Sequence, residues 1–139
     1  MEEYFLELSE VANWKGCDCL SHITAPMRRI QGRYEIDFNY SKIQTATDNL
    51  LKEVISNGKA IEINTSGLRQ PIGRTMPEEA IVKRYRELGG TNITVGSDAH
   101  KAPDVGAGLT EGILIAKRCG FQKLTLYGKR EPIEVEILL

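Results

Sequence analysis

Apolar residues recur along the chain at helical spacing in four segments, with short apolar or alternating runs between them. The helical pattern, in which apolar residues lie three and four positions apart, predicts amphipathic helices at 2–14, 41–57, 75–88 and 105–119. The short runs predict strands at 17–23, 59–64, 92–95, 123–127 and 132–139. Pro132 has no amide hydrogen, which favours a sheet edge for the last strand. Strand and helix alternate over most of the chain, which indicates a parallel sheet with right-handed crossovers.

Capping residues and helix breakers set the predicted ends of these elements. Ser41 is predicted to cap the second helix and Thr75 the third, because a hydroxyl oxygen can accept hydrogen bonds from the free amides of a first turn. Pro26 and Gly32 interrupt any helical pattern in their segment. Residues 24–40 are therefore predicted to form a long, irregular polar loop.

Composition and charge narrow the class of protein. The chain has 139 residues, which predicts a single domain over 1–139. Its formal net charge is −1 and it has no basic run, which argues against nucleic acid or an anionic membrane as a partner. No apolar stretch reaches transmembrane length, and no signal peptide is expected. The three cysteines have neither zinc-finger nor redox spacing, so reduced thiols in a cytoplasmic protein are expected.

Candidate chemistry lies where the predicted strands end. Asp98 and His100 follow the strand at 92–95, and in extended backbone two such side chains point the same way. A carboxylate and an imidazole directed into one space suit a divalent metal or an acid–base pair. The alternative is that Asp98 caps a turn and His100 lies on the surface. His22 ends the strand at 17–23 in the same manner, which favours a site at the carboxyl ends of the strands.

Positively charged side chains occur near the same strand ends. Arg69 follows the second strand and is a candidate anion contact, since guanidinium groups suit phosphate and carboxylate. Arg28 lies in the predicted polar loop, where Arg29 and Arg33 are interpreted as solvated residues. Glu62 alternates with two isoleucines, so it is predicted to point either into a barrel interior or toward solvent.

Three segments that contain these residues are specific in combination. They are Cys19-Leu20-Ser21-His22-Ile23-Thr24-Ala25-Pro26-Met27-Arg28, Ile61-Glu62-Ile63-Asn64-Thr65-Ser66-Gly67-Leu68-Arg69 and Gly96-Ser97-Asp98-Ala99-His100-Lys101. In this order and spacing, over nearly the whole chain, they resemble histidinol phosphatases of the polymerase-and-histidinol-phosphatase (PHP) superfamily. The resemblance implies a distorted (β/α) barrel of about seven strands, with metal ions at the carboxyl ends of the strands.

The resemblance also implies a reaction and a set of site residues. The reaction is hydrolysis of L-histidinol phosphate to L-histidinol and phosphate, in histidine biosynthesis. By resemblance, His22, Asp98 and His100 match metal ligands, Asp98 and His100 belong to the catalytic centre, and Arg28 and Arg69 match positions that hold the substrate phosphate. The expected cofactor is a divalent metal such as zinc, manganese or iron. Another phosphoester substrate is an alternative, although the near-neutral charge speaks against DNA.

Part of the family pattern is missing from the chain. The H-x-H motif of the first strand and the glutamate and histidine ligands of the following strands have no counterpart, and only two histidines occur. A complete barrel needs roughly 250 residues. We therefore expect a partial (β/α) barrel, the C-terminal half of a PHP barrel with a mostly parallel sheet, which holds fewer metal ions and has little or no activity alone. Open sheet edges predict a homodimer; the alternative is a non-catalytic module that assembles with a separate N-terminal half.

Overall fold

The computed structural model describes residues 2–34 and 40–138, which form an α/β fold. The helices are α1 (Glu2–Asn13), α2 (Ala25–Tyr34), α3 (Gln44–Ser56), α4 (Glu79–Glu87) and α5 (Leu109–Arg118). The strands are β1 (Cys19–Leu20), β2 (Ala60–Asn64), β3 (Ile93–Gly96), β4 (Lys123–Gly128) and β5 (Glu131–Glu136). Short 3₁₀ turns lie at Tyr40–Ile43, Ser66–Arg69 and Ala102–Asp104. None of the helices in this described part has the length and hydropathy to cross a membrane.

The strands form two separate sheets. β1, β2 and β3 make a parallel sheet in that order, with Leu20 opposite Ile61 and Ile61 opposite Ile93. Helices connect its strands, as parallel pairing requires. β4 and β5 make an antiparallel hairpin, in which Pro132 lies on an edge strand as predicted. The parallel sheet predicted from the alternation of elements is therefore present, with a hairpin added at its end.

The parallel sheet has one apolar and one polar face, because successive side chains of a strand point to opposite sides. Ile61, Ile63 and Ile93 share the apolar face and are completely buried in the hydrophobic core. Burial of each such side chain stabilises the fold by about 1.5–3 kcal/mol relative to exposure. Glu62 and Asn64 alternate with the isoleucines of β2 and therefore lie on the polar face. The helices cover the apolar face, whereas Cys19, Glu62 and Thr94 on the polar face are only half-buried.

Helix α2 occupies most of the segment for which the sequence predicted an irregular loop, so that prediction is wrong over 25–34. Pro26 is the second residue of the helix, where its missing amide hydrogen leaves no helical hydrogen bond unmade. Gly32 remains helical because an isolated glycine costs only about 1 kcal/mol relative to alanine. Met27 is completely buried and offsets that cost by packing into the core.

The predicted caps of α3 and α4 are also wrong. A 3₁₀ turn that contains Ser41 precedes α3, and Ile43 occupies the N-cap position without a side-chain hydrogen bond. Glu78 occupies the N-cap position of α4. The Thr75 hydroxyl instead donates to the Pro77 carbonyl oxygen at 2.9 Å. The sequence places each cap at the hydroxyl residue before the apolar pattern. In the structure each helix begins a few residues later, at Gln44 and at Glu79.

Glycines decide where α5 begins and how closely it packs. Gly106 and Gly108 have φ values of 78° and 77°, so the helix begins after them and later than its apolar pattern predicted. Gly112 lies within the helix and faces the sheet. A Cβ atom there would lie 3.0 Å from Thr65 Cγ2 and 2.5 Å from Val95 Cγ1. The missing side chain therefore lets α5 pack directly against the carboxyl ends of β2 and β3.

All three cysteines are free thiols in the structure. Cys119 is buried, whereas Cys17 and Cys19 are half-buried. Burial raises the pKa of the Cys19 and Cys119 thiols to about 11. Both thiols are therefore protonated at neutral pH, and the reactive thiolate form is scarce.

Candidate functional site

Side chains from three strand ends meet beyond the carboxyl edge of the parallel sheet. His22 lies just after β1, Asn64 is the last residue of β2, and Asp98 lies just after β3. His22 Nε2 is 3.3 Å from Asp98 Oδ2 and 3.1 Å from Asn64 Nδ2. The structure therefore brings His22 and Asp98, predicted from separate strands, into direct contact.

His100 lies beside the same carboxylate but on its exposed side. Its Nδ1 is 3.7 Å from Asp98 Oδ1 and 3.1 Å from the Asp98 carbonyl oxygen, and 84% of its side chain is exposed. Among residues 2–34 and 40–138, no group of three or more His, Cys, Asp and Glu side chains has the arrangement of a metal centre. His22 and Asp98 thus form a pair, and His100 lies next to it. The metal-binding roles of the three residues stay predictions.

The backbone at His22 and Asp98 adopts the left-handed conformation, with φ values of 58° and 49°. The extended backbone expected between Asp98 and His100 is therefore wrong, and the two side chains approach each other through a turn. A non-glycine residue in this conformation costs roughly 1–2 kcal/mol, and surrounding contacts must hold it. At His22 one such contact is the Tyr4 hydroxyl, which donates to the His22 carbonyl oxygen at 2.6 Å.

The Asp98 carboxylate is ionised at neutral pH. Burial acts to raise its pKa, but hydrogen bonds with His22, Asn64 and Ser66 outweigh burial and lower the pKa below the ordinary value of 3.8. Asn64 and Ser66 are the neutral donors of this set, and Ser66 Oγ lies 3.1 Å from Asp98 Oδ2 and 2.7 Å from Asn64 Oδ1, so its one hydrogen can be donated to either oxygen. Asp98 therefore presents a charged acceptor that is only 21% exposed.

Glu62 lies on the polar face of β2, next to the same network. Its carboxylate accepts hydrogen bonds from the Ser21 hydroxyl and from Asn64 Nδ2, the latter at 3.3 Å. Gly96 makes room for it on β3, since a Cβ atom there would overlap Glu62 Oε1. Glu62 therefore points along the polar face of the sheet and adds a second carboxylate near His22 and Asp98.

Arg69 ties together the loops that follow β2 and β3. Its Nη2 donates to the Ser97 carbonyl oxygen at 2.9 Å, and its Nη1 donates to that of Ala107 at 3.4 Å. Its Nε is 3.5 Å from Asp104 Oδ1, and 26% of the side chain is exposed. The guanidinium thus lies at the end of the sheet where the sequence predicted it. Its role in phosphate binding stays a prediction.

The remaining arginines of interest belong to α2. Arg28 is half-buried on this helix, which begins directly after the His22 turn. Its predicted role in phosphate binding also stays a prediction. The side chains of Arg29 and Arg33 lie outside the described part of the structure, as do residues 35–39 of the predicted loop.

The His22–Asp98 pair has the chemistry and spacing of two ligands of one divalent metal ion. Imidazole nitrogen and carboxylate oxygen are common zinc ligands, and two ligands of a tetrahedral ion lie about 3.4 Å apart. The Nε2–Oδ2 distance of 3.3 Å agrees with that separation. The pair can supply two ligands to a metal ion, which would replace the hydrogen bonds of His22 Nε2 with Asp98 and Asn64, and His100 is the neighbouring imidazole.

Asn64 and Ser66 belong to the site but were not singled out from the sequence. Asn64 is 1% exposed and Ser66 is 3% exposed, and both contact the His22–Asp98 pair. A signal was available in the position of Asn64, a polar residue at the carboxyl end of a predicted strand. The same rule that selected His22 and Asp98 by strand ends would have selected Asn64.

Known proteins of similar sequence and structure are histidinol phosphatases, although no family model matches the chain. The probable histidinol-phosphatase of Thermotoga maritima is 32% identical over 111 residues, which are 80% of this chain and 45% of the relative. That of Clostridium acetobutylicum is 31% identical over 107 residues, which are 76% of this chain and 40% of the relative. Histidinol phosphate phosphatase from Lactococcus lactis, solved with zinc, L-histidinol and phosphate, has a TM-score of 0.77 at 22% identity. The match covers 94% of this chain and 49% of that one.

By its fold the chain is an α/β protein whose architecture matches part of a histidinol phosphatase structure. The resemblance to histidinol phosphatases, inferred from three sequence segments, is confirmed by curated relatives that carry this name. The chain spans about half the length of the curated relatives it matches.

Proposed function

We propose that this chain contributes part of the catalytic centre of a histidinol-phosphatase-like, metal-dependent phosphoester hydrolase in the cytoplasm. The observation that carries the proposal is the 3.3 Å contact between His22 Nε2 and Asp98 Oδ2. It lies beyond the carboxyl ends of parallel strands, where α/β proteins build their sites. The names of the relatives and the ligands of the Lactococcus lactis structure support L-histidinol phosphate, a small phosphate monoester, as the substrate.

In this proposal His22, Asp98 and His100 hold a divalent metal ion such as zinc, manganese or iron. A bound metal ion supplies a nucleophilic water at neutral pH and offsets negative charge on phosphoryl oxygens. Asp98 is already ionised, so it can bind a cation without first losing a proton. Asp98 and His100 are the proposed catalytic residues, because His100 is the exposed imidazole next to the carboxylate.

The proposed phosphate contacts are Arg28 and Arg69. A guanidinium group forms charge-assisted hydrogen bonds with phosphoryl oxygens and stabilises the charge that develops on them. Arg69 has five N–H donors in all, of which two point to the Ser97 and Ala107 carbonyl oxygens. Those two contacts, with the Asp104 carboxylate 3.5 Å from Nε, fix the orientation of the guanidinium, and one N–H on each terminal nitrogen remains for an anion.

Low activity is expected from the chain alone. It contains only two histidines, and His22, Asp98 and His100 can hold one metal ion rather than a cluster. A single ion with few protein ligands binds weakly. We therefore expect the chain by itself to bind one metal ion weakly and to hydrolyse little or no histidinol phosphate.

A second candidate function is assembly of a partial barrel, either with a second copy of the chain or with a separate N-terminal half. The polar face of the parallel sheet favours this candidate, because Cys19, Glu62 and Thr94 on that face are only half-buried. In a closed barrel the inward face is filled by side chains. A partner that covered this face would bury these groups and add ligands to the centre.

Metal binding and turnover test the proposal on the full chain. Calorimetric titration with Zn²⁺ or Mn²⁺ is expected to show one weakly bound ion, and Asp98→Ala is expected to remove that binding. Glu131→Gln is the control, because Glu131 is an exposed carboxylate on the β4–β5 hairpin. Binding that survives Asp98→Ala would contradict the site. Turnover of histidinol phosphate near that of a complete enzyme would contradict the low activity.

Light scattering tests the assembly candidate. A dimer, or activity restored on mixing with an N-terminal half-barrel, would favour it. A monodisperse monomer that is inactive with such a half would contradict it.

A further inference from the structure

A cavity of about 390 Å³ lies at the amino end of the parallel sheet, opposite the end that holds the candidate site. Three parts of the chain line it: the segment between α1 and β1 with Lys15 and Asp18, the segment between α3 and β2 with Lys59, and the turn of the β4–β5 hairpin with Arg130. Proteins bind small molecules in cavities of about 300–1,000 Å³. The cavity is therefore large enough to hold a small molecule and not only water.

The side chains that line this cavity carry an excess of positive charge. Lys15, Lys59 and Arg130 are its three cations, and Asp18 is its carboxylate. Two of the cations act on the same carboxylate: the hydrogen bond from Arg130 is the main cause of the lowered Asp18 pKa, and the charge of Lys59 lowers that pKa further. Three positive charges and one negative charge therefore leave the lining with two positive charges in excess.

Hydrogen-bond donors remain on these cations after their contacts with the described residues are counted. The Lys59 ammonium has three N–H groups, of which two donate to backbone carbonyl oxygens. Arg130 uses Nε and Nη2 for the Asp18 carboxylate, and Nη2 also donates to the Lys15 carbonyl oxygen at 2.6 Å. One N–H of Lys59 and both N–H groups on Nη1 of Arg130 are therefore left for a ligand.

We propose that this cavity binds a phosphate group, either free or carried by a small organic molecule, through Arg130, Lys59 and Lys15. A phosphate group carries a charge of about −1.5 to −2 at neutral pH, which balances the excess charge of the lining. Guanidinium and ammonium groups both bind phosphoryl oxygens. Lys59 is only 7% exposed, so solvent screens its attraction for an anion less than that of a surface lysine. The inference is independent of the proposed function, because the two sites lie at opposite ends of the sheet.

Calorimetric titration of the metal-free full chain with inorganic phosphate, at constant ionic strength in chloride, tests the cavity. We expect saturable binding, with changes in the amide ¹H–¹⁵N NMR signals concentrated at residues 15–18, 58–59 and 129–130. A parallel titration with glycerol 3-phosphate distinguishes the two sources of the phosphate group. Tighter binding of glycerol 3-phosphate would identify an organic phosphate as the ligand, and equal binding would identify free phosphate.

Arg130→Met is expected to weaken phosphate binding at least about tenfold, because it removes charged hydrogen bonds to the anion. Lys129→Met is the matched control, since it removes one positive charge from the same turn and the same kind of backbone, and Lys129 does not line the cavity. Lys15→Met is a second test that leaves the Arg130–Asp18 pair in place, because the Lys15 side chain is exposed and Arg130 contacts only its carbonyl oxygen. It should also weaken binding.

Arg69→Met separates this cavity from the phosphate contacts proposed at the carboxyl end, and it should leave phosphate binding in the cavity unchanged. Binding that is lost in Arg69→Met and retained in Arg130→Met would overturn the inference. Equal weakening in Arg130→Met and Lys129→Met would also overturn it, because general charge would then account for the binding. Absence of saturable phosphate binding in the unaltered chain would overturn it whether or not any variant folds.

Discussion

At the amino end of the parallel sheet two cationic side chains, Lys59 and Arg130, are paired with oxygen acceptors, whereas at the carboxyl end the Asp98 carboxylate is held by His22 and by neutral donors. Lys59, just before β2, is buried, and its ammonium donates to the Trp14 and Cys17 carbonyl oxygens. Arg130 donates to both carboxylate oxygens of Asp18, just before β1, at 2.8 Å each. These contacts join α1, the sheet and the hairpin, so the amino end stabilises the fold.

The polar groups at the carboxyl end are organised differently. His22 Nε2 and Asp98 Oδ2 lie 3.3 Å apart, with the Glu62 carboxylate bound to the same Asn64 amide. His22 and Asp98 have left-handed backbone, as Lys129 and Arg130 do at the amino end. An ionised carboxylate that is held mainly by neutral donors adds less to stability than one paired with a permanent cation, and proteins retain such a carboxylate where a ligand uses it.

Asp18 at the amino end and Asp98 at the carboxyl end both have a lowered pKa, but for different reasons. The pKa of Asp18 is lowered chiefly by the hydrogen bond from Arg130, a permanent cation. The pKa of Asp98 is lowered although burial opposes it, by a set of hydrogen bonds that includes the neutral Asn64 and Ser66. A low pKa therefore does not identify a functional carboxylate. The informative property is whether a partner cation within the fold already neutralises the charge.

The largest effect is expected at the amino end, from Lys59→Met. The free energy of unfolding should fall by about 2–3 kcal/mol, because two carbonyl oxygens lose a charged donor inside the protein. Urea denaturation followed by circular dichroism measures the change. Lys52→Met is the matched control, since Lys52 is exposed on α3, and it should change stability by less than about 0.5 kcal/mol. Equal effects of the two variants would mean that Lys59 does not stabilise the fold.

Asp98→Asn is expected to lower stability, but less than Lys59→Met does. The pKa of Asp98 is lowered in the fold, so its charge contributes to stability at neutral pH. An asparagine amide keeps an oxygen acceptor and tolerates left-handed backbone, so the free energy of unfolding should fall by no more than about 1 kcal/mol. Zinc binding should be lost in the same variant. Asp18→Asn is the matched substitution at the amino end and should lower stability. The comparison fails if urea denaturation shows that Asp98→Asn destabilises the protein more than Asp18→Asn does.

Regular elements could be predicted from the sequence because one face of each is buried. The strand predicted at 59–64 is β2, and the helix predicted at 2–14 is α1. Helix α2 was missed because its short polar sequence contains Pro26 and Gly32, which this helix tolerates by position and by packing. Local composition does not show where in a helix a proline will lie or which side chains will pack into the core.

The candidate site could be predicted only in part, for a different reason. His22 and Asp98 were found because strand ends meet at one edge of a parallel sheet. The hydrogen bonds that Asn64 makes to His22 join residues 42 positions apart in the chain, so they depend on the strand register. The left-handed backbone of His22 and Asp98 could not be predicted, because neither residue is a glycine.

The smallest effect is expected from Arg130→Met, and it should depend on pH. Because Arg130 lowers the pKa of Asp18, the pair stabilises the fold above the unfolded-state pKa of about 4, and this contribution is lost as the pH falls through the folded-state value. The stability difference between the unaltered chain and Arg130→Met should therefore be present at pH 7 and shrink in acid. Urea denaturation at several pH values, with carboxyl NMR of Asp18, measures both quantities.

Lys129→Met is the matched control for Arg130→Met. Lys129 and Arg130 are neighbours in the β4–β5 turn, with φ values of 53° and 70°, so methionine meets the same kind of backbone at either position. Lys129→Met also removes one positive charge, but it leaves the Arg130–Asp18 contact in place, so the Asp18 pKa should stay low. If both variants raise that pKa equally, the overall positive charge of the turn, rather than the direct ion pair with Arg130, lowers the Asp18 pKa. The contrast between a cation-paired Asp18 and Asp98 would then fail.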